Sequence, residues 1–174
     1  MNSLKLNQTR LRFVEVSDAS FILSLRLNKK YNRYLSEVSS DIKLQKKWIE
    51  TYKVKENNKE EFYFIIESLD ETPCGTVRIY DLKNDSFCWG SWILNEYKSR
   101  YSAIESALLV YQFGFDTLNF EKSHFDVMKE NKSVISFHKK MGAIQVGESR
   151  DSYSYHIYKN SVETFKQRVK KIIE

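Results

Sequence analysis

The sequence predicts a single α/β domain built on a central mixed sheet. Three strand-like segments, FYFIIESL (62–69), TVRIYDL (76–82) and FCWGSWIL (87–94), follow one another across short polar turns, which implies an antiparallel meander. Helical periodicity takes over at 101–118, and strand and helix patterns then alternate to the end of the chain, the order of an α/β sandwich. No linker, repeat or low-complexity block divides the 174 residues, a length suited to one domain.

The first segment, TRLRFVE (9–15), alternates as a strand does. Ser17 and Asp18 offer caps for a helix over 18–29, whose apolar residues Phe21, Ile22, Leu25 and Leu27 follow helical spacing only in part. NKKYNRYLS (28–36) reads as a short helix or loop at a surface. Ser40 or Asp41 starts a second helix, with Ile42, Leu44, Gln45, Trp48, Ile49 and Tyr52 on one broad semi-apolar face. KENNKEE (55–61) is a charged turn and DETPCG (70–75) a hairpin connection. In 76–82, Val77, Ile79 and Asp81 share one face, and Thr76, Arg78 and Tyr80 the other. In the helix of 101–118, Ile104, Ala107, Leu108, Tyr111, Phe115 and Leu118 recur at helical spacing. SHFDVM (123–128) is a strand, and SVISFHKKM (133–141) a helix ended by Gly142. Segments 143–148 and 152–158 close the sheet. The last helix, 161–173, sets Val162, Phe165, Val169 and Ile172 against a Lys-rich face and is expected to pack on the domain.

Composition excludes several classes. A hydrophobic fraction of 41% is too high for a disordered chain. One proline and five glycines exclude collagen and flexible linkers. The longest apolar run falls far short of the about 20 residues of a membrane helix, and the opening MNSLKLNQTR has no apolar signal core. Two cysteines, Cys74 and Cys88, are too few for a disulfide framework, so a reduced, cytoplasmic setting is expected. The net charge of +5 suits an anionic cofactor or substrate. No zinc finger, RNP pair or dense arginine patch points to nucleic acid, and no metal site is expected.

The chemistry is concentrated in 91–142. A polar turn, NEYKSRYS, stands between the end of a strand and the start of a helix, where free backbone N–H groups can receive a phosphate. Lys98, Ser99, Arg100, Tyr101 and Ser102 bring cations and hydroxyls to that turn, and a plain solvated turn is the alternative. Without glycine it fits neither a Walker loop nor a dinucleotide fingerprint.

In this stretch the chain resembles the GNAT acyltransferases. The carriers are Tyr97-Lys98-Ser99-Arg100-Tyr101-Ser102-Ala103-Ile104-Glu105-Ser106-Ala107-Leu108, where Ala103, Glu105 and Leu108 match the family's helix start, and the spacing from Asn131 to Gly142. The opening LRFVEVSDASFILSLRLN (11–28) is similar as well, so the resemblance covers about 11–148. It is closest to the branch with the ribosomal-protein N-acetyltransferases, and it extends to the amino-sugar acetyltransferases of surface-glycan pathways. The family's turn glycines correspond to Tyr101 and Ser99, which can present their amides only if the turn needs no positive φ.

The resemblance implies a mostly antiparallel sheet split at two parallel strands and flanked by helices. It implies acetyl-CoA held between 87–94 and 123–128, with direct transfer to a primary amine. Trp92, Ile93 and Leu94 would meet the thioester and its arm, an N–H near Trp92 the oxyanion, and residues 98–103, ending at Ala103, the pyrophosphate. Asn131 and Phe137 would complete the cofactor side, a plain helix cap being the alternative for Asn131. His138 corresponds to a residue that is often the catalytic tyrosine, and with an ordinary pKa of about 6.5 it is the first candidate for the general acid. A surface histidine beside Lys139 and Lys140 is the alternative, and Ser136 is a weaker substitute for the acid. Asp81, Glu67 or a water chain would be the base. Glu105 would accept backbone N–H groups in its helix's first turn. His124 and His156 read as packing or surface residues.

For the acceptor, Arg26, Asn28, Arg33, Tyr34, Trp48, Arg78, Tyr80 and Trp89 offer cations for a diphosphate and rings for a base or sugar. The expected acceptor is a small-molecule amine, preferably an amino sugar or sugar nucleotide. Protein N-terminal acetylation and a non-catalytic CoA-binding module are the alternatives. Monomer and homodimer both fit the sequence.

Overall fold

The structure is a computed structural model and describes residues 4–173. Its strands are β1 (Leu4–Lys5), β2 (Thr9–Phe13), β3 (Phe62–Ser68), β4 (Pro73–Tyr80), β5 (Ser86–Leu94), β6 (Lys122–Met128), β7 (Ile144–Glu148) and β8 (Ser152–Tyr158). Its helices are α1 (Ala19–Arg26), α2 (Ile42–Asn57), α3 (Ser102–Gln112), α4 (Lys132–Lys140) and α5 (Lys159–Ile173). The strands form one sheet in the order β1-β2-β3-β4-β5-β6-β8-β7. Every neighbouring pair is antiparallel except β5 and β6, which the α3 crossover makes parallel.

That parallel pair is brief. Ser86 faces Lys122 and Phe87 faces Ser123, and beyond those positions the strands part. The cause lies in β5. Thr76 pairs with Ile93 and Arg78 with Gly90, so β5 spends one more residue than β4 over the same span. The extra residue falls next to Ser91, whose φ of 48° lies in the left-handed region. Such a bulge bends and twists its strand, and it turns β5 away from β6.

The sheet buries both faces over its N-terminal half. On one, Val14, Ala19, Ile22, Ile49, Tyr52, Tyr63 and Ile65 join α1 and α2 to the sheet. On the other, Phe64, Val77, Ile79, Phe87 and Tyr155 meet α3 and α5. Each such side chain taken fully from water contributes roughly 1.5–3 kcal/mol. Helix α3 is buried along almost its whole length, Ser102 and Glu105 included, as a central helix must be.

Several boundaries differ from the sequence reading. The short strand β1 was not expected; it pairs with β2 from Leu4 to Leu11. The first strand ends at Phe13, and Val16–Asp18 form a 3-10 turn before α1. The long helix is α-helical only to Gln112; its last turn widens, with Leu118 N bonding Phe113 O, five residues back. Helix α5 packs with Ile173, and Ile172 is exposed, because the 3.6-residue turn carries Val162, Phe165 and Val169 to Ile173 rather than to Ile172. Residues 28–36 form no helix longer than single turns.

Asp81 is not on a strand face. β4 stops at Tyr80, and Asp81 turns with φ 49° toward His124, whose Nε2 lies 2.9 Å from its carboxylate, and Lys83 at 3.3 Å. Glu67 is buried at the other end of the sheet, bridging Arg10 and Arg12 of β2 at 2.6 Å each. It clamps β2 to β3. Replacing it by alanine removes both bonds but leaves Arg10 with Glu71 and Arg12 with Asp18, and is expected to destabilise the fold by about 1.5–3 kcal/mol. Urea unfolding of Glu67→Ala checks this, and at low temperature the turnover of the folded fraction should stay near that of the parent.

Among the described residues no helix is long and apolar enough to cross a membrane.

Candidate active site

Where β5 and β6 part, an opening of about 500 Å³ runs into the sheet. Trp89, Gly90, Ser91 and Trp92 of β5 form one wall. Phe125, Asp126, Val127 and Met128 of β6 form the other, and α4 contributes Asn131, Val134 and His138. A second cavity, of about 350 Å³, lies toward α1 and α2 and is lined by Arg26, Trp48, Tyr63, Arg78 and Ser91 among others. Arg26, Ser36 and Ser91 border both, so the two spaces meet at the β5 bulge.

Residues 28–36 stretch over this opening. The Tyr31 hydroxyl donates to Glu96 past the end of β5, and Tyr34 reaches Glu130 O past the end of β6, at 3.4 Å. Arg26 holds the loop from beneath by donating to Ser36 O and Oγ at 2.8 and 2.9 Å.

His138 sits in the wall of the opening, 5% exposed. Its ring lies 4.3 Å from that of Phe125 and 5.3 Å from that of Trp89. Nδ1 is buried without a hydrogen-bond partner among the described residues. Burial among these rings lowers the pKa to about 4. The ordinary value expected from sequence is therefore corrected, and the ring is neutral at physiological pH. The Phe137 ring lies tilted against that of Trp92 at 5.1 Å, and Trp92 Nε1 donates to Ser106 Oγ at 3.2 Å, tying the end of β5 to α3. Asn131 caps α4 through Val134 N and also borders the opening.

The turn before α3 answers the question raised by its missing glycines. Tyr101 has φ −106°, and Ser99 is absent from the residues with positive φ, so neither position requires glycine. The amides of Arg100, Tyr101, Ala103 and Ile104 find no backbone acceptor among the described residues, as at any uncapped helix start. Lys98 and Arg100 are exposed beside them, the Arg100 guanidinium lying over the Tyr101 ring at 5.3 Å. The Ser102 hydroxyl, by contrast, is buried and accepts from Thr9 Oγ1 at 3.3 Å, facing the core and not the turn. Glu105 reaches outside its own helix: Oε2 accepts Gln8 N at 3.0 Å, and Oε1 has no hydrogen-bond partner among the described residues.

The other sequence candidates divide. Arg26, Tyr80 and Trp89 border the opening and Arg78 the second cavity. The Arg78 guanidinium lies 4.7 Å from the Tyr80 ring centroid and 5.7 Å from that of Trp48, and it is ion-paired with buried Glu61. Burial raises the Tyr80 hydroxyl above its ordinary range. Ile93 is buried in the core and Leu94 packs against it. Asn28 turns inward on its own loop, accepting Lys30 N at 2.9 Å, and exposed Arg33 lies over Tyr34; neither lines a cavity. Asp81 and Glu67 line neither cavity. The sequence reading passed over Ser91, Cys88 and Asp126, all at the opening. Gly90 inside a strand pattern was the available signal for the bulge at Ser91.

The residues 8–144 match the family model described as "Acetyltransferase (GNAT) domain", and the chain belongs to this family. It is 28% identical over 107 residues to the SPbeta prophage-derived uncharacterized N-acetyltransferase YokL of Bacillus subtilis (strain 168), covering 60% of this chain and 58% of that protein. Among solved structures, apo FdhC, a nucleotide-linked sugar GNAT, superposes with a TM-score of 0.90 at 52% identity, over 99% of this chain and 98% of that one. The ribosomal-protein-S5-alanine acetyltransferase of Vibrio fischeri has a TM-score of 0.77 at 14% identity, over 91% of this chain and 97% of that one. That likeness is one of fold.

Proposed function

We propose that this chain is an acetyl-CoA-dependent N-acetyltransferase whose acceptor is the primary amine of a nucleotide-linked amino sugar. The observation that carries this is the 52% identity over nearly the whole length to a nucleotide-linked sugar GNAT. The geometry agrees with it. Acetyl-CoA supplies an acetyl group as a thioester. The β5 edge beyond Phe87, left unpaired by β6, has main-chain groups to pair with an extended amide-bearing arm, as an added strand would. The amides at the start of α3, with Lys98 and Arg100 beside them, suit a pyrophosphate. On the acceptor side, Arg26 and Arg78 offer cations to a diphosphate, and Trp48 and Tyr80 offer ring faces to a base or sugar.

His138 enters this scheme as a neutral imidazole. Its N–H donates a hydrogen bond where an imidazolium would carry charge. Trp92 and Phe137 shape the space beside it.

The test is thiol release from acetyl-CoA with three acceptor classes: nucleoside-diphosphate-linked amino-deoxyhexoses, polyamines and short peptides. The nucleotide-linked sugars are expected to give a kcat/KM at least about 100-fold above the others, as a site with polar groups matched to one acceptor discriminates. A preference for peptides or polyamines would overturn the acceptor assignment.

A further inference from the structure

We propose that Asp126 is the residue that recognises the acceptor's ammonium group and so makes the site selective for amines. Alternation along β6 buries Phe125 and Val127 and leaves Asp126 on the opposite, exposed face, at the border of the opening. Tyr80 and Cys88 border the same space from β4 and β5.

Among the described residues Asp126 is unengaged, as is Glu37 in the lining of the second cavity, whereas several other carboxylates are held. Asp81 is held by His124 and Lys83, Glu61 by Arg78 and Lys55, Glu67 by Arg10 and Arg12, and Glu96 by Tyr31. Asp126 has no hydrogen bond or ion pair among the described residues, and its register partner on β8 is Ser154, which brings no cation. Its charge is nevertheless felt within the sheet. Burial first, then the charges of Asp81 and Asp126, push the Cys88 thiol up to about 11, against the hydrogen bond from Tyr80.

The charges around the opening are arranged in two poles. Arg26 is its cationic lining residue and Asp126 its anionic one, while burial keeps His138 neutral. A nucleotide-linked amino sugar has the same pattern: a diphosphate at one end and, at neutral pH, an ammonium at the other. Arg26 fits the first and Asp126 the second. A carboxylate–ammonium contact is charge-assisted. A sugar with a hydroxyl in place of the amine would leave it without its counter-charge.

This inference rests on the acyl-transfer reading of the opening, and the experiment separates the two. Wild type, Asp126→Asn and Asp126→Glu are compared in binding a nucleoside-diphosphate-linked amino-deoxyhexose and the same sugar carrying a hydroxyl, and in KM for acetyl-CoA and for each amine in the acceptor panel. Wild type is expected to bind the amino form at least about tenfold more tightly, the range of a charge-assisted hydrogen bond. Asp126→Asn should bind both forms alike, with KM for acetyl-CoA and the thermal midpoint unchanged, and Asp126→Glu should recover part of the preference. An Asp126→Asn protein that keeps the amine preference overturns the proposal. If wild type ignores the sugars but acetylates a polyamine or peptide, the nucleotide-sugar reading falls. The KM of Asp126→Asn for that amine then decides: a rise of about tenfold upholds Asp126, and no change overturns it. A wild type that acetylates no amine overturns both.

Discussion

Replacing His138 with phenylalanine is expected to lower kcat about a hundredfold while making the protein less sensitive to acid. The first effect is of the size that one positioned proton donor or acceptor contributes. The ring stands in the wall of the opening against Phe125 and Trp89, in an apolar setting where Nδ1 goes unsatisfied. An unsatisfied buried polar atom costs about 1–3 kcal/mol, and its retention in a native wall calls for a reason. Nδ1 is closed to solvent, so the hydrogen bond proposed for the loaded site falls to Nε2 of the same ring and accounts for an imidazole at this position. Phenylalanine keeps the shape and the ring contacts, so a loss of turnover in His138→Phe reports on the nitrogen atoms rather than on packing. A kcat within about threefold of the parent would remove His138 from the mechanism.

The second effect follows from linkage. The folded-state pKa of about 4 lies below the ordinary value of 6.5. Between those values the unfolded chain binds a proton that the native state refuses, so stability rises with pH across this window and is lost as pH falls through it. From pH 7.5 to pH 5 this one group accounts for about 2 kcal/mol. Urea unfolding at both pH values should show that decrement in the parent, beyond whatever His138→Phe still loses.

The largest structural effect is expected at Gly75. A Cβ built there would lie 2.1 Å from Ile93 O and 2.9 Å from Leu94 Cδ2. The first of these is backbone, and it belongs to the stretch of β5 that pairs with Thr76 just beyond the bulge. Gly75→Ala can be accommodated only by moving β4 away from β5, which breaks pairing in the middle of the sheet and displaces the wall of the opening. A destabilisation of more than about 4 kcal/mol is expected, seen as a fall in thermal midpoint of roughly 10 °C or failure to fold. Gly147→Ala is the control: its Cβ would meet Ser154 at 3.7 Å, an ordinary contact, and the midpoint should scarcely move.

Part of the lining of the opening is legible in the sequence. Spacing and family resemblance single out Trp92, Asn131 and His138, and all three border the opening. Tyr101 was read at a glycine position, and its negative φ shows why a tyrosine can stand there. Asp81 and Glu67 lie away from the opening for different reasons. Asp81 lies one residue beyond the end of β4, and a single left-handed residue turned it to His124. Glu67 alternates onto a face that two arginines of a distant strand already occupy, and such pairing has no local trace in sequence. Asp126 drew no notice because an acidic residue in a half-buried strand reads as a solvated face; only the parting of the strands beside it makes it a border of the opening.

The chain's periodicities of two and 3.6 determined, on their own, the order of its elements from β2 onward, the antiparallel meander and the single-domain α/β class, because these depend on residues near one another in sequence. The bulge at Ser91, the two-residue limit of the β5–β6 pairing, the neutral state of His138 and the free state of Asp126 were decided by the tertiary structure alone. Each depends on what lies across a strand gap or behind a ring from a remote segment, and burial and pairing of that kind are properties of the packed chain rather than of any stretch of its sequence.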